Sequence, residues 1–285
     1  MAIRTIANNP TYEGLLDFRA NIPFASPDGQ ELCLQLIKPQ WASPEGRGFP
    51  LVVFIQGSAW TTPNMFWQIP QLSLLAARGF VVASVTHRAC WHAPAPAFLQ
   101  DVKAAIRFLR AHAAEYDVDK TRVCAWGTSS GGNTALLAGL TGDDPAFETA
   151  ENAGESSAVQ AVVDCFGPTD LVGMQDKQFA HVALTDSNLI YALGGKNPDT
   201  FRDTLALISP VTYVTPGRQL PPFLILHGDA DPLVLYPDSE AFYHLLKDNG
   251  YEAELVRVTN APHEGTFWSL PLLEIIFDFI AEKIG

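Results

Sequence analysis

Short apolar runs alternate along this chain with longer segments whose apolar residues recur every three to four positions. Leu32 to Ile37, Leu51 to Ile55, Phe80 to Val85, Val123 to Trp126, Val159 to Phe166 and Phe223 to Leu226 have the length and content of buried strands, and Ala253 to Val258 alternates as a further strand. Gln68 to Arg78 predicts a helix stopped by Gly79. Ala97 to Glu115 places Phe98, Val102, Ala105, Ile106 and Leu109 on one helical face. Another helix begins at Thr134, one more lies between the last two strands, and Phe267 to Lys283 predicts the last. Such alternation predicts an α/β fold, three layers deep: a mostly parallel sheet with helices on both faces, expected to be eight-stranded, with seven of its strands marked by these runs.

Pro168 to Ser209 breaks the rhythm, with Asp, Gly, Asn and Pro punctuation and only short apolar clusters. A stretch that long between two sheet strands is expected to be a small helical cap or lid within one domain spanning 1–285; a crossover helix with long loops is the alternative. Phe179, His181, Leu189 and Tyr191 are its candidate substrate-facing residues.

Residues 127–133 read Gly-Thr-Ser-Ser-Gly-Gly-Asn, after the run ending at Trp126 and before the helix-forming run Thr134 to Ala138. That is a GxSxG frame between strand and helix, where glycines let the chain reverse within a few residues. The frame makes Ser129 the candidate nucleophile; choosing Ser130 would put β-branched Thr128 at the first glycine position. A serine-bearing turn without chemistry is the bland alternative, and the missing lysine argues against a phosphate-binding loop.

A serine hydroxyl needs a base. Of the seven histidines, His263 follows the last strand in Asn260-Ala261-Pro262-His263-Glu264-Gly265, where a loop can deliver an imidazole to the elbow. His112 and His244 lie in predicted helices and are expected at the surface, whereas His227 suits packing or hydrogen bonding. The carboxylate that orients the base is expected on the loop His227-Gly228-Asp229-Ala230-Asp231-Pro232, with Asp231 preferred and Asp229 read as a turn former. Oxyanion donors are expected from the Ser130 N–H at the helix N-terminus and from the loop Gln56-Gly57-Ser58-Ala59-Trp60.

Composition narrows the partners. The chain has 18 Lys and Arg against 31 Asp and Glu, a net charge of −13, and its basic residues are scattered. This argues against nucleic acid or an anionic membrane. No apolar stretch reaches the length of a membrane span and the N-terminus lacks a signal-peptide core, so a cytoplasmic location is expected. Cys33, Cys90, Cys124 and Cys165 show no CxxC spacing and read as free thiols. Nothing in the chain specifies an oligomeric state.

The motifs together resemble the α/β-hydrolase superfamily, and within it esterases similar to the bifunctional acetyl-xylan/feruloyl (BD-FAE-like) group, near the hormone-sensitive-lipase and kynurenine-formamidase branches. The resemblance rests on the 127–133 elbow, on His227-Gly228-Asp229-Ala230-Asp231 and on Pro262-His263-Glu264-Gly265, and covers nearly the whole chain. It implies a serine carboxylic ester hydrolase working through an acyl-enzyme, with no metal or cofactor, on a small ester or an acylated oligosaccharide carrying acetyl or feruloyl groups. An amide hydrolase of formamidase or serine-peptidase type and a non-catalytic hydrolase-fold binding protein are the alternatives. One motif departs: the group's His-Gly-Gly-Gly-Trp is Gln56, Gly57, Ser58, Ala59, Trp60 here. Carried over by position, the N–H groups of Ser58 and Ala59 become oxyanion donors, with the Ser58 hydroxyl either adding a third bond or pointing to solvent. Gly57 and Trp60 become substrate contacts, and Trp60, Phe66, Trp67, Trp91 and Trp268 are candidate stacking faces.

Overall fold

A computed structural model describes residues 3–285. Eight strands, β1 (Leu16–Ala25), β2 (Leu32–Pro39), β3 (Phe49–Ile55), β4 (Val81–Val85), β5 (Val118–Thr128), β6 (Ala161–Cys165), β7 (Phe223–Gly228) and β8 (Ala253–Val258), form one sheet in the order β1-β2-β4-β3-β5-β6-β7-β8. β1 and β2 are antiparallel to their neighbours, and β4, β3, β5, β6, β7 and β8 run parallel. This is the mostly parallel, helix-covered sheet that the strand and helix pattern predicts, in the α/β-hydrolase architecture that the motif resemblance implies.

The central strands read as unbroken apolar runs because both faces of the sheet are covered. Leu51, Val53 and Ile55 of β3 join Val123 and Ala125 of β5 in one core, on the side of helices α2 (Ala97–Ala111) and α4 (Ser130–Thr141). Val52 and Phe54 join Cys124 and Trp126 in a second core, under α1 (Ile69–Ala76) and α9 (Leu270–Ile284). Successive residues feed opposite cores, as the two-residue period of a strand requires.

Some boundaries differ from the sequence pattern. β1 is absent from the predicted runs because it lies on the sheet edge, leaves Phe18 exposed and is interrupted by a register shift around Asn21. β5 starts five positions before Val123, through the polar residues Asp119 to Arg122, because pairing with β3 rather than apolarity holds it there. The predicted Ala97 to Glu115 helix is broken at His112, after which α3 spans Ala113–Tyr116. His112 is half-buried there, its Nδ1 2.9 Å from the Phe108 carbonyl, whereas His244 is exposed on α8 (Tyr236–Asp248) as expected. The stretch 168–209 folds as three short helices, α5 (Leu171–Gln178), α6 (Leu189–Leu193) and α7 (Phe201–Leu207), between β6 and β7. All four cysteines are free.

The strand order reverses at β3: the chain leaves it for β4 on one side and then returns to β5 on the other. The loops after β3 and β5 leave the sheet side by side there, at the carboxyl ends of the strands, the general ligand position in open α/β sheets.

Candidate active site

Ser129 sits between β5 and α4 with φ 53° and ψ −124°, a left-handed conformation that costs a non-glycine residue about 1–3 kcal/mol. The surroundings enforce it. A Cβ on Gly127 would lie 2.0 Å from the Gly131 carbonyl oxygen, and one on Gly131 would lie 2.0 Å from that of Ile55, so α4 presses directly onto β3 and β5. The Ser129 N–H donates to the Cys165 carbonyl at 2.9 Å, fixing the elbow to β6. Ser130, the competing serine, is buried inside α4 with its Oγ accepting from the Ser58 N–H at 2.9 Å.

The Ser129 Oγ lies 2.9 Å from His263 Nε2, and His263 Nδ1 lies 2.6 Å from Asp231 Oδ2. The Asp231 Oδ1 accepts from the N–H groups of Leu233 at 2.8 Å and Val234 at 3.1 Å, and Oδ2 also faces His227 Nε2 at 3.2 Å. Burial would raise this carboxyl, but the hydrogen bonds from His227, His263 and the Leu233 N–H outweigh it and hold Asp231 well below the usual carboxylate range. It is therefore an anion throughout the neutral range. Asp229 points elsewhere, accepting from the Asn260 N–H at 2.5 Å and pairing with Arg257 at 2.8 Å, which ties the acid-bearing loop to β8. A third carboxyl, Asp164 of β6, is wholly buried beneath α4, where desolvation raises it well above the ordinary value despite a bond from the Gly167 N–H. Its environment disfavours the charged form, and the hydrogen bonds of His263 go to Asp231 and Ser129 instead.

The loop after β3 carries Ala59 at φ 51° and Trp60 at φ 55°, so two non-glycine residues hold left-handed torsions, one of them, Ala59, where the related motif has glycine. Ser58 departs from expectation. Its N–H is engaged by Ser130 Oγ, and its hydroxyl donates to the Thr61 carbonyl at 2.7 Å rather than facing the nucleophile or solvent. The N–H groups of Ala59 and Ser130 have no acceptor among the described residues, and both residues line the cavity that contains Ser129. The Ser58 contact thus braces the loop against α4, while the neighbouring donors stay free.

One cavity opens on the elbow and a second lies beyond the loop after β3. The first, about 390 Å³, is lined by Ser129, His263, Ala59 and Trp60 and by the apolar side chains of Met174, Phe179, Leu189 and Leu233. Phe179 and Leu189 therefore face it as expected. His181 is exposed outside it, and Tyr191 turns its hydroxyl to the Lys196 carbonyl at 2.7 Å. The second, about 510 Å³, is lined by Gly57, Gln56, Gln71, Glu264, Trp67 and Trp268 among others. Phe66 and Trp91 are exposed and line neither. The polar wall of the second cavity escaped the sequence reading because glutamines carry no motif; the Gln68 to Gln71 cluster was the only available signal. Among the described residues no helix is long and apolar enough to cross a membrane.

The family model described as BD-FAE matches residues 35–246. Esterase LipQ of Mycobacterium tuberculosis is 29% identical over 275 residues, covering 93% of this chain and 62% of its own length. The chain also matches Esterase LipC and the probable carboxylic ester hydrolase LipM of the same organism, and spans about half the length of each. Among solved structures, a truncated carbohydrate esterase from gut microbiota superposes with a TM-score of 0.78 at 28% identity, covering 96% of this chain and 98% of that one. The butyrate-bound Est2 esterase of Thermogutta terrifontis gives 0.75 at 25% identity, with 96% and 94% covered.

Proposed function

The chain belongs to the BD-FAE family, and we propose from the arrangement around Ser129 that it is a serine hydrolase of carboxylic esters working through an acyl-enzyme. The observation that carries the proposal is the continuous contact from Ser129 Oγ through His263 to Asp231, at 2.9 and 2.6 Å. His263 Nε2 removes the hydroxyl proton as Oγ attacks the ester carbonyl, and Asp231 holds Nδ1 protonated and stabilises the imidazolium. The carbonyl oxygen, now an anion, is met by the N–H groups of Ala59 and Ser130, the latter at the positive end of α4. His263 then returns its proton to the departing alcohol, and water attacks the acyl-enzyme by the same route in reverse.

The helices of 168–209 act as a cap that shapes the apolar cavity, and this cavity receives the acyl group. Its volume and apolar wall suit a range of acyl groups from acetyl to an aromatic acid such as a feruloyl group. Carbohydrate esters of the xylan type are the proposed natural substrates, in line with the carbohydrate esterase among the structural neighbours.

Replacing Ser129 by alanine removes the nucleophile without altering the glycine contacts that shape the elbow. The expected result is an aryl acetate kcat lower by about 10⁴-fold or more, unchanged unfolding, and loss of fluorophosphonate labelling. Label found on another residue, or more than a tenth of the activity remaining, refutes the assignment.

A further inference from the structure

Side-chain hydroxyls join the turn at Ser129 to the loop after β3. Regular pairing between β3 and β5 ends at Ile55 and Gly127. Beyond that pair Thr128 Oγ1 accepts from the Gly57 N–H at 2.9 Å, and Ser130 Oγ accepts from the Ser58 N–H at 2.9 Å. Gln56 Nε2 adds a longer donation to the same Thr128 oxygen at 3.4 Å. Both hydroxyl residues are buried. Two successive N–H groups of the loop are thus spent on the two residues that flank the nucleophile.

The next N–H along the loop is that of Ala59, which has no acceptor among the described residues and belongs to a residue lining the cavity of Ser129. Its place follows from what holds its neighbours. The Ser58 carbonyl accepts from the Thr61 N–H at 3.0 Å and from Thr61 Oγ1 at 2.6 Å, while Ser58 Oγ donates to the Thr61 carbonyl at 2.7 Å. Residues 58–61 therefore form one closed turn, with left-handed Ala59 and Trp60 at its centre. The Trp60 carbonyl accepts from the Cys90 N–H at 2.8 Å, which fixes the far side of the turn. On the near side a Cβ at Gly57 would lie 2.6 Å from the Thr128 carbonyl oxygen and 2.7 Å from Ser129 Cβ, so the loop rests on the elbow itself. A turn closed in this way moves as a unit. Deprived of the two hydroxyl acceptors, the Gly57 and Ser58 N–H groups are left unpaired, which favours a shift of the turn toward other acceptors.

We propose that Thr128 and Ser130 are positioning residues for the oxyanion: their hydroxyls seat the loop after β3 and thereby hold the Ala59 N–H where the tetrahedral intermediate needs it. The proposal rests on the serine esterase reading of Ser129. It gives Ser130 two separable parts, an N–H that meets the oxyanion and a hydroxyl that places the companion donor. An oxyanion donor acts at about 2.7–3.1 Å from the developing charge, so a displaced loop costs rate rather than substrate affinity.

The test follows p-nitrophenyl acetate hydrolysis by the full chain and by Thr128→Val, Thr128→Ser and Ser130→Ala, with urea unfolding alongside. Valine keeps the shape of threonine and alanine keeps the N–H of position 130, so each of these two changes removes a hydroxyl alone. Each is expected to lower kcat by about 10- to 100-fold with KM within about threefold, and to weaken a trifluoromethyl ketone, whose adduct carries the same oxyanion, in proportion to kcat/KM. Thr128→Ser retains the oxygen and is expected to recover most of the rate. The pH dependence of kcat/KM stays that of the wild type, since His263 and Asp231 are untouched. Thr134→Val removes an equally buried hydroxyl from the first turn of α4, one bonded to the Ser130 carbonyl at 2.8 Å instead of to the loop, and is expected to keep kcat within about twofold. Either hydroxyl-free variant carries the test where the other fails to fold. A kcat within about twofold of wild type in those that fold overturns the proposal. So does a Thr128→Ser rate as low as that of Thr128→Val, or a loss in Thr134→Val equal to that in Ser130→Ala. Fluorophosphonate labelling of the wild type reports separately on the esterase reading: no label on Ser129 refutes that reading, whereas a label together with undiminished variants refutes the positioning alone.

Discussion

Two imidazoles share the carboxylate of Asp231, and only one of them is placed to act as a base. His263 Nδ1 approaches Oδ2 at 2.6 Å and leaves Nε2 for Ser129, with 11% of the side chain exposed toward the cavity. His227 Nε2 approaches the same oxygen at 3.2 Å and also faces the Val234 carbonyl at 2.9 Å, while Nδ1 faces Ser239 Oγ at 2.7 Å. A carbonyl can only accept, so His227 Nε2 carries its hydrogen and Nδ1 accepts from the serine. Both nitrogens are consumed inside the protein. The pair teaches that contact with a buried carboxylate does not define a general base; the other nitrogen must be free and aimed at a proton. His227 instead supplies one of the hydrogen bonds that keep Asp231 ionised. Phe166 packs edge-on against both rings, with centroids 4.7 Å from His263 and 6.4 Å from His227, and limits how far either can swing.

The widest separation between the two is expected on removing each in turn. His263→Ala leaves Ser129 without a proton acceptor, and kcat should fall on the order of 10⁴-fold with little change in unfolding. His227→Phe keeps the ring volume but strands the Val234 carbonyl, Ser239 Oγ and one lone pair of Asp231. Urea titration should then register about 1–3 kcal/mol of lost stability, with kcat down by about tenfold. Equal kcat losses in the two variants would erase the distinction between base and support.

The smallest effect concerns acid stability. The Asp231 carboxyl is lower in the folded protein than the roughly 3.9 of an unfolded chain, so its ionised form stabilises the fold above about pH 4. That contribution is lost as pH falls through the depressed folded value. The stability gap between wild type and Asp231→Asn should therefore narrow as urea titrations move from about pH 5 to about pH 2.5. A gap of constant size would mean that the hydrogen bonds to Asp231 do not discriminate its charged form.

Much of the fold was legible because the sheet is covered on both sides. Strands such as Leu51 to Ile55 then carry apolar residues at every position, and helices such as Ala97 to Ala111 carry them on one stripe. β1 was not legible, since an edge strand with an exposed face lacks that signal. Ser129, Asp231 and His263 could be named as neighbours because each stands at the end of a strand run, where the turn chemistry of glycine and proline marks a loop. The oxyanion loop could not be read to the atom. Residue types alone did not reveal that Ser58 spends its N–H on Ser130 and its hydroxyl on Thr61.

The order of residues determined the alternating elements, the strained turn at Ser129 and the loops that carry an acid and an imidazole, because these depend on local periodicity and on glycine at positions of close approach. Tertiary structure alone decided which nitrogen of which histidine meets the hydroxyl, which N–H groups stay free, and that the cavity beside the nucleophile is walled by apolar side chains. Those outcomes depend on distances between segments far apart in the chain. Such distances are set by how two cores pack on one sheet, and no stretch of sequence encodes them locally.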